Sequence, residues 1–259
     1  MIRLFTLFRA EVKRSWAMIK AYPVDQVAGV VILAFLFYML FLGTKYMAGP
    51  GVHLGDRVDT MFVGYVSWLL MMTNYQAVSH SIRDESTQGT LMQLLTSPFS
   101  ARAILLMRAI ASAITDVIMI TLVAGGIMLI TGIHVHVSLA VIPFLLTALG
   151  AAAGLGFVLG AITLLYKKAD MLLSIVQYGI LFAVMAPLEQ WGFAGKLLSV
   201  FVPAAPSAAG LRTLMVGNHF SFLLFGIALA NVLVFLGGGL LLFGMAERQA
   251  KRRGLLGAF

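Results

Sequence analysis

Cysteine and charge are what this sequence lacks. The chain of 259 residues contains no cysteine, and only 11% of its residues are charged. The absence of cysteine excludes disulfide bonds and thiolate metal or redox sites. The scarcity of charge argues against a soluble protein, because helices that face water carry charged residues along their whole length. No Gly-x-x-x-x-Gly-Lys-Ser/Thr loop is present either, so the chain cannot itself hold ATP in the usual manner.

Long apolar runs dominate what the sequence does contain. Hydrophobic residues make up 61% of the chain, and its mean hydropathy is +0.98. A soluble core of this size cannot bury so much apolar surface, so lipid must surround the chain. Six runs reach the roughly 20 residues that cross a hydrocarbon layer of about 30 Å, and they predict spans at Val27–Tyr46, Met61–Val78, Ala103–Ile130, Leu139–Leu164, Met171–Leu188 and Phe222–Phe243. The sequence therefore predicts one all-α integral membrane domain over residues 1–259, with a six-span bundle at 27–243 and a basic cytoplasmic tail at 244–259.

A positively charged amphipathic segment precedes the first span, within residues 1–22. At about 100° per residue, one helical face gathers apolar side chains and the opposite face gathers cations. The apolar side chains are Leu4, Phe5, Phe8, Val12, Trp16 and Ile19, and the cations are Arg3, Arg9, Lys13, Arg14 and Lys20. This pattern is typical of a helix in the membrane interface, in contact with lipid; the alternative is a solvated charged leader. Because charges continue through Lys20, the segment does not have the pattern of a cleaved signal peptide.

The distribution of basic residues predicts the orientation of the chain. With the N-terminus in the cytoplasm, 14 of the 18 Lys and Arg residues fall on the inner side, and only Lys45, Arg57, Lys196 and Arg212 fall outside. The positive-inside rule therefore predicts that both termini are cytoplasmic. The net charge of +8 does not indicate nucleic acid, because the cations cluster at the ends of apolar segments instead of alternating with stacking aromatic residues.

The connection between the second and third spans, residues 81–108, is too patterned for a plain linker. Three leucines at i, i+3 and i+4 predict a short helix with one apolar edge, and a polar stretch leads into it. Pro98 is expected to end this helix, and Ser100 to cap the next one. The leucines are Leu91, Leu94 and Leu95, and the polar stretch contains Arg83, Asp84, Glu85 and Gln88. Such a helix at the mouth of a membrane bundle suits docking of a soluble partner.

The same connection carries a resemblance to a known family. The run Glu85, Gly89, Thr90, Leu91, Leu94, Leu95, Ser97, Pro98, followed by an apolar helix, resembles the coupling segment of ABC-2-type transport permeases. Met92 stands where members of that family often have an acidic residue. The layout is similar as well: an interfacial helix, six spans and a proline-containing external connection with Pro203, Pro206 and Leu211-Arg212. Gly210 stands where an acidic residue often precedes the Leu-Arg pair.

The resemblance implies a transport subunit and not an enzyme. Such a permease dimerises with a second permease subunit, and two copies of a separate ATPase, which holds ATP and Mg, drive export; this chain would bind no cofactor or metal. The residues that would couple to the ATPase are Arg83, Asp84, Glu85, Gly89, Thr90, Leu91, Leu94, Leu95 and Pro98. The expected location is a bacterial or archaeal inner or plasma membrane. Lipid-like, drug-like and glycan cargoes all fit, and the short external connection favours a small or lipid-like one.

Polar residues inside the predicted spans are further candidates. Asp116 lies inside the third span, where an ionised carboxylate is costly. With Arg108 and Asn74 it marks either a translocation path or gate, or a hydrogen-bonded group that holds helices together. A proton-coupled secondary transporter that uses Asp116 is the main alternative function, and a purely structural assembly subunit is another. No convergent set of catalytic side chains indicates a membrane enzyme.

Closely spaced small residues occur in two of the spans. Spacings of four let helix backbones approach closely, either within the subunit or in a dimer, and packing within the subunit is the prediction. These residues are Gly150, Gly154, Gly156 and Gly160 in the fourth span, and Gly226, Ala230, Gly237, Gly238 and Gly239 in the sixth.

Overall fold

The computed structural model describes residues 2–48, 55–132, 138–166, 170–186, 188–217 and 219–252, and among them it contains helices and no strand. A 3₁₀ turn at Leu188–Trp191 and a π-helical turn at Leu233–Gly237 interrupt the series of α-helices. In chain order these helices are α1 (Ile2–Ala21), α2 (Pro23–Ala48), α3 (Gly55–Thr87), α4 (Leu91–Thr96), α5 (Ala101–Thr131), α6 (Val141–Leu165), α7 (Asp170–Met185), α8 (Gly192–Ser199), α9 (Ala205–Met215), α10 (Phe222–Val232) and α11 (Gly238–Arg252). The all-α prediction is confirmed for this part of the chain.

Among the described residues, four helical segments are long and apolar enough to cross a membrane. They are Pro23–Thr44, Ala101–Thr131, Val141–Leu165 and Phe222–Arg252. The second predicted span lies inside α3, where Thr73, Asn74 and Gln76 lower the hydropathy, and the fifth lies in α7, which has only 16 residues. The prediction of an integral membrane protein is therefore confirmed, while the count of six spans stays a prediction.

Helix α6 lies at the centre of the bundle, packed against α3, α9, α10 and α11. Its small residues make this possible, because no side chain fits at the contact: a Cβ atom on Gly154 would lie 2.3 Å from the carbonyl carbon of Phe235, and one on Gly156 would lie 2.8 Å from the carbonyl oxygen of Tyr75. Gly239 faces Gly154 in turn. Packing within the subunit is thus confirmed for these glycines, whereas Gly226, Gly237 and Gly238 meet no heavy atom within 4 Å.

The last membrane helix runs further than the sequence suggests. After α10 and the π-helical turn, α11 continues without a break to Arg252. Residues 244–252, predicted as the start of a tail, therefore extend the helix, because Ala246 and Ala250 are buried against its neighbours. The remainder of the predicted tail lies outside the described residues, as do Lys167 and Lys168, two of the cations counted on the inner side.

The N-terminal segment is a helix, as predicted, and α1 packs against α5. On its apolar face Phe5 and Trp16 are exposed, while Leu7 packs against the hydrophobic cluster that surrounds α4. The exposed Phe5 and Trp16 side chains can therefore contact lipid, while the edge of the helix that carries Leu7 packs against the bundle.

Candidate functional site

Residues 83–98, which we call the 83–98 segment, form a tight turn and a short helix. Helix α3 ends at Thr87, and Gly89 follows with φ +71°, a left-handed conformation that favours glycine. The Thr90 hydroxyl donates a hydrogen bond of 2.5 Å to Oε2 of Glu85, which ties the end of α3 to the start of α4. The turn is therefore held by a side-chain contact as well as by its glycine.

Helix α4 confirms the short helix predicted from the leucine spacing. Leu91, Leu94 and Leu95 are all buried, in one cluster with Ile82 of α3 and Leu105 of α5. The opposite face of α4 is exposed and consists of Met92, Gln93 and Thr96. The leucines therefore anchor the helix to the bundle, and the exposed face is what a partner would meet.

The connection from α4 to α5 also follows the sequence prediction. The α4 helix ends at Thr96, two residues before the exposed Pro98. Ser100 then caps α5, since its hydroxyl accepts a hydrogen bond of 3.3 Å from the backbone N–H of Ala103. The short α4 helix is thus joined to a 31-residue membrane helix through three residues, 97–99, and the Ser100 cap.

Glu85 belongs to a charge cluster of four side chains from three helices, namely Glu11, Arg14, Glu85 and Arg108. The Arg108 guanidinium donates to Glu85 at 3.1 Å and to Glu11 at 3.3 Å. Arg14 lies 3.9 Å from each of the same two carboxylates. The Arg108 side chain is only 13% exposed and that of Glu85 14%, so the contacts are shielded from water. The cluster therefore links α1, the end of α3 and the start of α5.

The electrostatics of Glu85 follow from this geometry. Burial acts to raise the pKa of its carboxyl, but the Thr90 hydroxyl and the guanidiniums of Arg108 and Arg14 outweigh burial, and the pKa is lowered. Glu85 is consequently ionised at neutral pH and faces the bundle. Its neighbours Arg83 and Asp84 are exposed instead, so the three charged residues predicted to act together have different surroundings.

Asp116 lies on α5 beside a polar cavity of about 270 Å³ between α1, α3 and α5. The Thr73 hydroxyl of α3 lies beside its carboxyl, and no described Lys or Arg forms an ion pair with it. Arg108 also lines the cavity. Asn74 does not; it is buried, and its amide donates to the carbonyl of Ala109 at 3.4 Å. The three predicted membrane candidates thus separate into two cavity residues and one packing contact.

Sequence reasoning missed two buried polar residues, Asn231 and Arg212, that hold segments of the bundle together. The amide nitrogen of Asn231 donates to the carbonyls of Val200 and Val202 at 2.6 and 3.1 Å, and its oxygen accepts from the N–H of Ala204 at 3.0 Å. Since Asn231 is fully buried, these bonds attach the segment before α9 to α10. The signal in the sequence was an asparagine within an apolar span, which is costly without partners.

Arg212 is the second anchor. It was counted among the cations of the outer side; it is 4% exposed and donates to the carbonyl of Val184 at 2.7 Å, near the end of α7. A cation at a helix C-terminus is favourable because the last carbonyls carry partial negative charge.

Gly210, the residue directly before the Leu211-Arg212 pair, lies against the ring of Phe144, where an added Cβ would be only 2.1 Å from a ring carbon. An acidic side chain has no room there.

Comparison with known proteins relates this chain to a family. A family model described as ABC-2 type transporter matches residues 2–190. The matched range begins in α1, contains the 83–98 segment and the charge cluster, and ends in the 3₁₀ turn after α7. The anchors at Arg212 and Asn231 lie beyond it. A comparison with curated proteins finds no match.

Proposed function

Since this chain belongs to the ABC-2 type transporter family, as its membrane permease subunit, we propose that it serves an ATP-driven exporter and docks its ATPase through the exposed face of α4. One observation carries the proposal: a short helix, anchored by three buried leucines, presents Met92, Gln93 and Thr96 outward. Helix-in-groove docking of such a face is a common way for one protein to grip another. Two copies of a separate ATPase, carrying ATP and Mg, would serve a permease dimer.

The charge cluster supplies a route by which a push on α4 reaches the membrane. Movement of α4 pulls on Glu85 through Thr90, and Glu85 is bonded to Arg108 on α5. Arg108 in turn holds Glu11, so α1 moves with the same group. A rigid-body tilt of packed helices is a known form of such a response. In this account Glu85 transmits the motion inside the permease, and the ATPase contacts the exposed face of α4.

In the proposed topology the chain crosses the membrane six times, and both termini lie in the cytoplasm. The helices α2, α3, α5, α6, α7 and the pair α10–α11 supply the six crossings, and the positive-inside distribution supports the orientation. Cargo is a lipid-like, drug-like or glycan molecule moved outward. The protein would reside in a bacterial or archaeal inner or plasma membrane.

Single-cysteine crosslinking tests the docking face, and the absence of native cysteine makes it clean. Gln93→Cys, labelled with a photoreactive maleimide in native membranes, is expected to capture a nucleotide-binding subunit upon illumination. Ser138→Cys, exposed just before α6 at the predicted outer end, is the matched control and should capture none. Capture of the same proteins at both positions, or of no nucleotide-binding subunit at position 93, would refute docking at this face.

A proton-coupled secondary transporter is the second candidate function. The observation that favours it is Asp116, an acidic residue on a membrane helix with Thr73 as its neighbour and no cation paired with it in the described chain. In that case reconstituted vesicles would accumulate cargo under a proton gradient without nucleotide, and Asp116→Asn would abolish the uptake. Cargo movement that requires ATP and a second subunit, and survives Asp116→Asn, rules this candidate out.

A further inference from the structure

The polar cavity between α1, α3 and α5 has walls of two kinds. Charged and hydroxyl side chains make up most of its lining, and Met18, Ile19 and Met119 add apolar surface. The volume of about 270 Å³ approaches the lower end of the range for small-molecule pockets, roughly 300–1,000 Å³. The cavity therefore has space for a small amphiphile, with polar groups to orient it.

The balance of charge in the cavity favours a cation. Its lining includes three carboxylates and two guanidiniums. Both guanidiniums already face two carboxylates each: Arg108 is bonded to Glu11 and Glu85, and Arg14 lies at 3.9 Å from the same pair. The charge cluster is thus neutral in itself, and the carboxylates that remain in the cavity are Asp84 and Asp116. An anion would have to displace one of these existing pairs.

Of these two carboxylates, Asp116 lies far from the positive charges of the cluster. Asp116 lies eight residues beyond Arg108 on the same helix, about 12 Å along its axis at 1.5 Å per residue. The hydroxyls of Ser112 and Thr115 lie between them on the cavity wall. Asp84 is exposed and lines the same cavity. A cation that enters past Asp84 thus meets hydroxyl groups and then the half-buried Asp116, which supplies a charged partner.

We propose that this cavity binds amphiphilic organic cations, with the ammonium group at Asp116 and the apolar body against Met18, Ile19 and Met119. The inference goes beyond the exporter function, because binding by this chain alone requires neither an ATPase nor transport. An ammonium group pairs with a carboxylate and donates hydrogen bonds to hydroxyls. The methionine side chains suit an apolar body of variable shape, since they adapt to irregular surfaces.

Calorimetric titration of the purified chain in lipid nanodiscs tests the proposal. The probe is 2-phenylethylammonium, and the neutral comparison is 2-phenylethanol, which has nearly the same size but no charge. Empty nanodiscs correct for partitioning into lipid. We expect saturable binding of the cation only, and a loss of at least about tenfold in affinity for Asp116→Asn, the size expected when a buried charged partner is removed. Asp116→Glu, which keeps the charge, should retain most of the affinity.

The matched control is Asp25→Asn, an exposed acid-to-amide change at the start of α2 that does not line the cavity. It should bind the probe as the unmodified chain does, and Asp116→Asn should elute as the same species in size-exclusion chromatography. Equal binding of 2-phenylethanol, or unchanged affinity in Asp116→Asn, would overturn the proposal. Displacement of the probe by millimolar sodium or potassium would do so too, since the site would then be one for an inorganic cation. None of these results depends on an ATPase, so they leave the exporter proposal to its own test.

Discussion

Glu85 shows how one residue can join a surface segment to the membrane bundle. The sequence placed it in a polar stretch that leads into a docking helix, and its position at the end of α3 agrees with that. Its carboxylate, however, points to Arg108 and Thr90 and not to the surface. Arg108 was predicted to belong to a translocation path or gate, or to a hydrogen-bonded group that holds helices together, and its guanidinium bonds to Glu85 on α3 and Glu11 on α1.

Replacement of Glu85 by Gln should make stability depend on pH in a defined way. The pKa of Glu85 is lowered, so its charged contacts stabilise the fold fully above the ordinary value of 4.5 and are lost as the pH falls through the lowered value. At pH 7 we expect Glu85→Gln to unfold more easily by about 2 kcal/mol, the usual worth of a hydrogen bond to a charged group. The difference from the unmodified chain should shrink below pH 4.5, as measured by thermal unfolding in detergent.

Asp84→Asn serves as the control for that experiment, because Asp84 is the exposed neighbour of Glu85. Exposed charges contribute little to stability, so its unfolding should follow the unmodified chain across the pH range. A constant difference between Glu85→Gln and the unmodified chain down to pH 3 would contradict the assignment of the effect to an ionised Glu85.

Individual polar residues were only partly predictable from the sequence. Asp116 and Asn74 stand out because they interrupt apolar runs, and a polar group in lipid needs a partner. The identity of the partner depends on which helices come together, and the sequence does not contain that information in local form. Arg212 is the clearest case: the positive-inside rule counts it as an external charge, whereas its guanidinium caps α7 from within the protein.

At the scale of elements, the close approach of α6 to the last membrane helix organises the bundle. Gly154 has no space for a Cβ atom, because the backbone of Phe235 and Leu236 occupies that position. These residues lie in the π-helical turn. Spacing of small residues predicted close packing within the subunit, and it did so correctly for α6. It did not indicate that the partner would be the irregular turn, since a π-helical turn leaves no periodic signal.

Gly154→Ala is therefore expected to destabilise the protein, by about 1–3 kcal/mol, because extra atoms in a filled contact force the backbone to move. Thermal unfolding in detergent should show a lowered midpoint. Gly226→Ala is the matched control on α10, where nothing lies within 4 Å of the added atom, and a helix gains slightly from alanine. Equal midpoints for the two variants would show that α6 and the last helix do not meet at Gly154.

At the scale of the whole molecule, charge and hydropathy predicted the class of protein better than they predicted how its helices are arranged. Composition alone predicted an all-helical membrane protein, and both the helices and the family match agree with it. The number of spans is harder to predict from the sequence, since α3 is too polar and α7 too short to be recognised as spans by hydropathy alone. Their membership in the bundle rests on packing: the indole N–H of Trp68 on α3 donates to the carbonyl of Gln177 on α7 at 3.2 Å.

Labelling with a membrane-impermeant maleimide tests the six-span arrangement. Ser138→Cys should react in intact cells, because it lies just before α6 at the predicted outer end. Arg248→Cys, exposed on α11, should react only after the membrane is permeabilised, because an even number of crossings places the C-terminal end inside. Reaction of both positions in intact cells would require an even number of crossings between them, in place of the three that the arrangement predicts, and would refute it.

The central claim is that this permease works with a separate ATPase, and purification from its native membrane tests it most directly. The chain should be solubilised in mild detergent without crosslinker, and the accompanying proteins identified and quantified. We expect a nucleotide-binding subunit at equal stoichiometry, with ATP hydrolysis that Gln93→Glu on the exposed face of α4 reduces severely and Thr121→Val, a conservative change on the exposed side of α5, leaves intact. A permease that purifies without any nucleotide-binding subunit, from membranes that still export by its means, would contradict the account.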